Sequence, residues 1–459
     1  MNPRRIVKKI VPTKLFSRVE PYGHLLEAVL AQLIYGFPAR KLKVIGVTGT
    51  DGKTSTSTLI HQLLTSNNLK AAMMTTISID YGDGKGLIPN PTRLTTVSAI
   101  SLAKSMIKIK RSGAEWLVLE TTSHALAQHR VWGIPYSIAV MTNINHEHLD
   151  YHKTFENYLN AKRQLFVQTN SYKKGYRVGI INAEDRNAAS FVNSIKYPIT
   201  YGIHNGDITA SNIKMNSSGS SFLAKIAGDE YQINCHLPGS FNISNTLAAI
   251  LVGRTIGLSK KQIEKGIADL KAVEGRMTYV DEGQDFGVIV DYAHTPDSFK
   301  VIFDEVRKIT RGKIICVFGS AGRRDEAKRA AQGVIAGKFC DIVIATEEDD
   351  RDVDGLEILN QIASGAIESG KKINHDLFLI HNREEAIQSA LDMAGTGDMV
   401  LLLGKGHEKS ILSNGPEAAN LRGLLQDDAD PRRVIKRSFD EVTVARNCLQ
   451  KRLVSKLKS

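Results

Sequence analysis

KVIGVTGTDGKTSTSTLIHQLLTS, residues 43–66, passes from an apolar run through a glycine loop into a helical pattern. Val44, Ile45 and Val47 make Lys43–Thr48 read as a buried strand, and Ser55–Ser66 reads as a helix. The loop between them holds Gly49, Thr50, Asp51, Gly52, Lys53 and Thr54. Backbone N–H groups of such a loop can wrap phosphate oxygens, and the helix N-terminus adds positive potential. Lys53 would reach the outer phosphates, and the Thr54 hydroxyl would bind the magnesium ion that neutralises them. The common spacing, GxxxxGK[ST], is not met: Gly46 lies one residue early and Val47 fills the expected place. The loop points to a nucleoside triphosphate without saying which one or which reaction.

Outward from this stretch, apolar runs alternate with helical patterns at Trp116–Leu119, Ser137–Met141 and Val178–Ile181. That alternation is the mark of βαβ units and a parallel sheet. Residues 199–236 change to short alternating stretches such as Ser221–Ile226, which predict a small antiparallel sheet. After Gly275 a second series begins, with runs at Val288–Val290, Ile314–Phe318, Ile342–Ala345, Leu377–Ile380 and Met399–Leu403. The expected fold is α/β: a central P-loop ATPase domain over residues 43–273 and a C-terminal Rossmann-like domain over 274–459. Residues 1–42 form a basic, amphipathic segment before them.

Composition narrows the class. The chain has 459 residues, 42% hydrophobic and 24% charged, as expected of a soluble globular protein. Four scattered cysteines without CxxC spacing suggest neither a zinc site nor a disulfide framework, and a reducing cytoplasm suits them. The net charge is +12, and all of the excess sits at the ends. Residues 1–43 hold nine basic and two acidic side chains, and residues 446–459 hold five basic and no acidic ones. The balanced body argues against nucleic acid as a partner. The charged ends suit peripheral contact with an anionic membrane. Residues 24–37, with Leu26, Val29, Leu30 and Leu33 at helical spacing, predict an amphipathic helix packed on the enzyme body, with an interfacial membrane helix as the alternative.

Eight further motifs name a family. They are LETTSHALAQHRV (119–131), TNINHEHLDYH (142–152), AKRQLF (161–166), PGSFNISNTLAA (238–249), EGRM (274–277), VDYAHTPDS (290–298), FGSAGRRDEAKR (318–329) and GKGHE (404–408). With VTGTDGKTST they resemble the Mur ligases, which build the peptide of peptidoglycan. DYAHTPDS and GKGHE are most like the tripeptide synthetases that add the third residue of the stem peptide. The resemblance implies an ATP-dependent ligase that makes an amide through an acyl phosphate. Such a site must hold ATP and a carboxylate together, so fixed cations must cancel their repulsion.

Residue by residue, the resemblance implies the following. Glu120 and His148 bind a second magnesium ion, with His146 and His152 structural or in the outer shell. Glu147 stands where the family commonly has an aspartate. Lys162 is carried as a carbamate, an anion able to bind magnesium, which requires an amine of depressed pKa. Arg276 reaches the γ-phosphate, Asn242 and Asn245 lie near the adenine, and Asp291 and His294 lie at ribose and adenine. Closure of the two domains, with a hinge near 270–276, would complete the site. Thr95, Thr96, Ser123 and Arg130 hold the muramoyl-peptide acceptor. Arg324, Gly404 and Glu408 hold the incoming amino acid, Arg324 through a bidentate fork to its carboxylate. Where diaminopimelate-adding enzymes carry DNPR, this chain has Glu348-Asp349-Asp350-Arg351. The acids suit a cationic amine, so diaminopimelate and lysine both fit, and Arg351 favours the former.

Tripeptide synthetases normally begin with a UDP-binding domain, and the expectation here is that it is absent. That leaves open a lipid-linked acceptor or a UDP-linked one held by the central domain. A monomer at the cytoplasmic face of the membrane is expected. The rival readings are a folylpolyglutamate- or cyanophycin-type ligase, a non-catalytic nucleotide-binding regulator and a nucleic-acid-binding ATPase.

Overall fold

A computed structural model describes residues 13–90, 97–216, 218–414 and 434–458. Two compact units divide the chain. The first holds residues 1–214, 221–235 and 241–271, and the second holds 215–220, 236–240 and 272–459.

The sheet that carries the first unit has eleven strands: β1 Lys43–Thr48, β2 Ala71–Met74, β3 Ser78–Asp80, β4 Ile88–Pro89, β5 Trp116–Glu120, β6 Tyr136–Met141, β7 Val178–Asn182, β8 Tyr197–Tyr201, β9 Ile208–Asn216, β10 Gly219–Ile226 and β11 Asp229–Cys235. Their order is β11-β10-β9-β8-β7-β6-β1-β5-β2-β3-β4. β1 lies at the middle, parallel to both β5 and β6. Its burial follows from composition: after Lys43, every residue to Thr48 is buried, as a parallel strand covered on both faces requires. The core on one side joins Val44, Leu117, Leu119, Tyr136 and Met141 to Leu165 and Phe166 of the helix Phe155–Ser171.

The antiparallel sheet expected at 199–236 is not separate. β8 pairs parallel with β9 at Tyr201↔Ile208, so these strands extend the edge of the main sheet. An edge strand offers unpaired N–H and C=O groups, and β9 takes them up.

The second unit is built on a six-stranded sheet. Its strands are β12 Thr278–Tyr279, β13 Gly287–Asp291, β14 Ile314–Phe318, β15 Ile342–Ala345, β16 Leu377–Leu379 and β17 Met399–Leu403, in the order β12-β13-β17-β14-β15-β16. All neighbours are parallel except β12 and β13. The basic residues near the C-terminus belong to the helix Glu441–Lys458. Ala445, Cys448 and Leu449 bury it against the helix Arg383–Met393 and the sheet. Three of its basic residues meet partners in the same unit. Arg446 pairs with Glu282 at 3.4 Å and Lys451 with Glu384 at 3.5 Å, and buried Arg452 donates to the Ala394 carbonyl at 2.6 Å.

The N-terminal helix runs from Thr13 to Ile34 and packs on the helix Ala99–Arg111 through Ala28 and Ala31. Leu26, Leu30 and Leu33 point away from that contact and are exposed. The helix is amphipathic as expected, but its large apolar face is not the one that packs.

Candidate active site

Local geometry makes the Gly49–Thr54 loop a cradle. Gly49 (φ 151°) and Gly52 (φ 78°) adopt backbone conformations that favour glycine. A Cβ on Gly49 would lie 1.8 Å from Thr142 Oγ1, so the loop cannot accept a side chain there. The loop is tied to the segment after β6. Thr50 N–H donates to the Asn143 carbonyl at 2.7 Å, Asp51 N–H to Asn143 Oδ1 at 2.9 Å, and Thr142 Oγ1 to the Asp51 carbonyl at 2.6 Å. Lys53 folds back so that its Nζ donates to the Thr50 carbonyl at 2.6 Å.

Glu120, at the carboxyl end of β5, is 1% exposed. Thr54 Oγ1 donates to its Oε2 at 3.0 Å, and Thr76 donates from its N–H at 3.2 Å and its hydroxyl at 3.1 Å. Lys162 is buried under the loop, with Nζ donating to the Gly49 carbonyl and lying 4.6 Å from the Tyr158 ring centroid. Burial, with Lys53 nearby, holds its amine well below the usual lysine range. Burial would push the Glu147 carboxyl up, but the charges of Lys53, His148 and Lys162 outweigh it and hold it low. One place therefore gathers the glycine loop, two carboxylates and two lysines.

His148 takes a left-handed conformation (φ 55°), with Nε2 3.6 Å from Glu147 Oε1 and its ring edge-on to His124 at 4.6 Å. His152 is buried, with Nε2 3.0 Å from Ser123 Oγ. His146 lies against Phe155 at 4.5 Å. Ser123 is buried at the start of a short helix, and Arg130 is half-buried beyond its end. Asn245 Oδ1 accepts from Thr56 Oγ1 at 3.1 Å, and its Nδ2 donates to Asn242 Oδ1 at 3.0 Å, so both asparagines stand beside the phosphate-loop helix. Thr95 and Thr96 lie outside the described residues.

Sequence reasoning missed Tyr158, whose hydroxyl is 2.8 Å from Thr50 Oγ1 and donates to Glu147 at 3.2 Å. It also missed His124, which stacks among His148, Tyr151 and His152. Tyr158 lies four residues before Lys162, one helical turn away. That spacing was the available signal.

In the second unit, Arg276 lies with its guanidinium 5.1 Å from the Tyr292 ring. Asp291 accepts from the N–H groups of Met277 and Ala293, each at 2.7 Å, and His294 Nδ1 is 2.9 Å from the Tyr292 carbonyl. A second cluster collects the residues after β15 and β17. Lys405, fully buried, donates to Asp349 Oδ1 at 3.0 Å and Glu408 Oε2 at 2.5 Å. Beside Gly404 stands Glu348, 7% exposed, whose Oε2 is buried and meets no hydrogen-bond donor among the described residues. Burial pushes its carboxyl up to about 7, against the pull of Lys328 and Lys405. Arg351 is buried, with Nη1 donating to the Gly322 carbonyl at 2.6 Å, while Arg324 is exposed. Lys405 was also missed, although three successive acids at 347–349 demand a buried cation.

The hard oxygens of Thr54 and Glu120 at the foot of the phosphate loop fit a magnesium ion by donor chemistry. Among the described residues, the only His, Cys, Asp or Glu trio with ligand atoms within 4.8 Å of one another is Glu347, Asp350 and His381. Glu347 is there paired with Arg437, and His381 with Asp350 at 2.7 Å, so this trio reads as an ion-pair network.

Comparison with known proteins decides the family. The Mur ligase middle domain matches residues 47–253, and the Mur ligase glutamate ligase domain matches 275–406. The chain belongs to the Mur ligase family. A UDP-N-acetylmuramyl-tripeptide synthetase of Borreliella afzelii is 38% identical over 392 residues, covering 84% of this chain and 76% of that protein. A UDP-N-acetylmuramoyl-L-alanyl-D-glutamate–2,6-diaminopimelate ligase of Bacillus cereus is 37% identical over 385 residues, covering 83% and 76%. A solved structure of a ligase of the latter name aligns over 95% of this chain and 83% of its own, with TM-score 0.64 and 28% identity. As a Mur ligase, this chain is an ATP-dependent enzyme that forms amide bonds.

Proposed function

We propose that this Mur ligase adds a diamino acid, diaminopimelate or lysine, as the third residue of a muramoyl-peptide precursor of peptidoglycan. The observation that carries this reading is the buried, charge-suppressed Lys162 amine under the Gly49 carbonyl, within one cluster with Lys53, Thr54 and Glu120. A carboxylate oxygen of the acceptor attacks the γ-phosphorus of ATP, the bond to ADP breaks, and an acyl phosphate forms. The amine of the incoming amino acid then attacks the carbonyl carbon, loses a proton, and phosphate leaves. Magnesium shields the phosphate charge that the acceptor carboxylate must approach. Lys53 and the loop N–H groups hold the phosphates, while Thr54, Glu120 and His148 would hold the metal.

A neutral amine is what carbon dioxide requires to form a carbamate, and burial beside Lys53 shifts Lys162 toward that form. Its carbamate would place an anion where the amine now meets the Gly49 carbonyl. Protein equilibrated with ¹³C-labelled bicarbonate should show one carbamate carbon resonance, lost in Lys162→Arg. Its absence from the native chain would remove the carbamate from the mechanism.

Glu348 supports a substrate with a second ammonium group, because its buried Oε2 offers an acceptor beside Gly404 and Glu408. Glu348→Gln should raise the KM for the diamino acid by about 10- to 100-fold, the worth of a charged hydrogen bond. With its pKa at about 7, Glu348 gains charge as pH rises through 7, so the KM should fall over that interval and the variant should lose the dependence. ADP formation that requires both amino acid and acceptor, compared between UDP-linked and lipid-linked muramoyl dipeptides, tests the whole reading. ADP release with neither peptide acceptor but with a folate or cyanophycin primer would overturn it.

A further inference from the structure

We propose that the outer face of the helix Thr13–Ile34 docks on an anionic lipid surface, lying flat against it. The helix packs on the body with its small and polar residues. His24, Ala28, Ala31 and Gln32 are 1–4% exposed, and Ala28 and Ala31 meet Ala99 and Ala103. Its large apolar residues face outward: Tyr22 is 71% exposed, Leu26 60%, Leu30 48%, Leu33 61% and Ile34 74%. The spacing 22, 26, 30, 33, 34 puts all five on one stripe. A helix whose only partner was the protein core would turn the leucines inward. A contiguous apolar stripe of this kind marks a surface that something covers.

Charge says what covers it. The first 43 residues hold nine basic and two acidic side chains. Of the two acids, Glu27 is half-buried and lies 3.9 Å from inward-facing His24. Arg40, Lys41 and Lys43, just past the helix end, are exposed. The supporting helix Ala99–Arg111 repeats the pattern, with Ile100 and Lys104 exposed one turn apart, Lys108, Lys110 and Arg111 exposed beyond them, and no acid along its length. At the end of the N-terminal helix, Phe37 pairs with partly exposed Trp132 at 6.3 Å, and the Arg40 guanidinium lies 3.7 Å over the Phe37 ring. Aromatic rings with basic neighbours suit the headgroup level of a bilayer. Among the described residues no helix is long and apolar enough to cross a membrane. An interfacial helix needs an apolar stripe, basic flanks and modest net hydrophobicity, and this one has them.

The test is sedimentation of the full chain with phosphatidylcholine vesicles, with and without phosphatidylglycerol, at low and high salt. The expected result is binding that needs the anionic lipid, weakens at least tenfold at high salt, and falls at least tenfold in L26S/L30S/L33S. Those three side chains are exposed, so the variant should keep its thermal unfolding and its ADP formation in solution. Binding that ignores lipid charge, or that the triple variant retains, overturns the proposal. So does a chain that leaves vesicles alone and instead forms a concentration-dependent dimer dissolved by the same substitutions, because a second copy would then cover the stripe.

Discussion

Lys53→Ala should lower the rate of amide synthesis by about 10²- to 10³-fold, the usual cost of removing one fixed group that stabilises charge in the transition state. Lys53 lies in the loop with its amine turned onto the Thr50 carbonyl, 2.6 Å away, at the start of the Lys53–Ser66 helix. It is only partly buried, so thermal stability should change by no more than about 0.5 kcal/mol. The expected signature is therefore a loss in kcat with an unchanged melting curve. Glu120→Ala should lose activity on a similar scale but also some stability, because three donors from Thr54 and Thr76 would be left facing an empty buried site. Measuring phosphate release beside calorimetry separates the two. Undiminished synthesis in both variants would show that the reaction takes place elsewhere.

Arg383→Met should destabilise the second unit by about 3–5 kcal/mol, the cost of leaving a buried charge unpaired. Arg383 and Glu441 are both fully buried. The guanidinium donates to Glu441 Oε1 at 2.9 and 2.5 Å, to the Glu347 carbonyl at 3.0 Å and to the Leu403 carbonyl at 2.7 Å. It thus ties the ends of β15 and β17 to the C-terminal helix, and these ends carry Glu348 and Gly404. A loss of this size is a large fraction of the 5–15 kcal/mol or so that holds a typical domain together. Arg383→Met with Glu441→Leu should recover much of the loss, since an apolar pair leaves no stranded charge. Urea unfolding of the full chain measures both. A single-variant loss below about 1 kcal/mol would show that the pair is compensated by other contacts.

Much of the candidate site was legible because its chemistry is local. The glycine loop is built from consecutive residues, so Gly49, Gly52, Lys53 and Thr54 could be read without knowing what lies around them. Lys162 and Glu120 were legible through motifs. That Lys162 sits beneath the Gly49 carbonyl was not, because the two are 113 residues apart. Tyr158 and Lys405 escaped for a related reason. Tyr158 owes its position to Thr50 and Glu147, and Lys405 to Asp349, 56 residues away.

Residue periodicity by itself determined that the chain is α/β, that its glycine loop follows a buried strand, and that its N-terminal helix has two unlike faces. Only tertiary structure decided which of those faces turns inward. Ala28 and Ala31 allow the helix backbones to approach closely at Ala99 and Ala103, which leaves the leucines outside. Likewise the basic residues near the C-terminus looked alike in sequence, but folding spends Arg446, Lys451 and Arg452 on the protein itself. A side chain's type is local, whereas the dielectric around it and the partner it meets are contributed by segments far away in the chain.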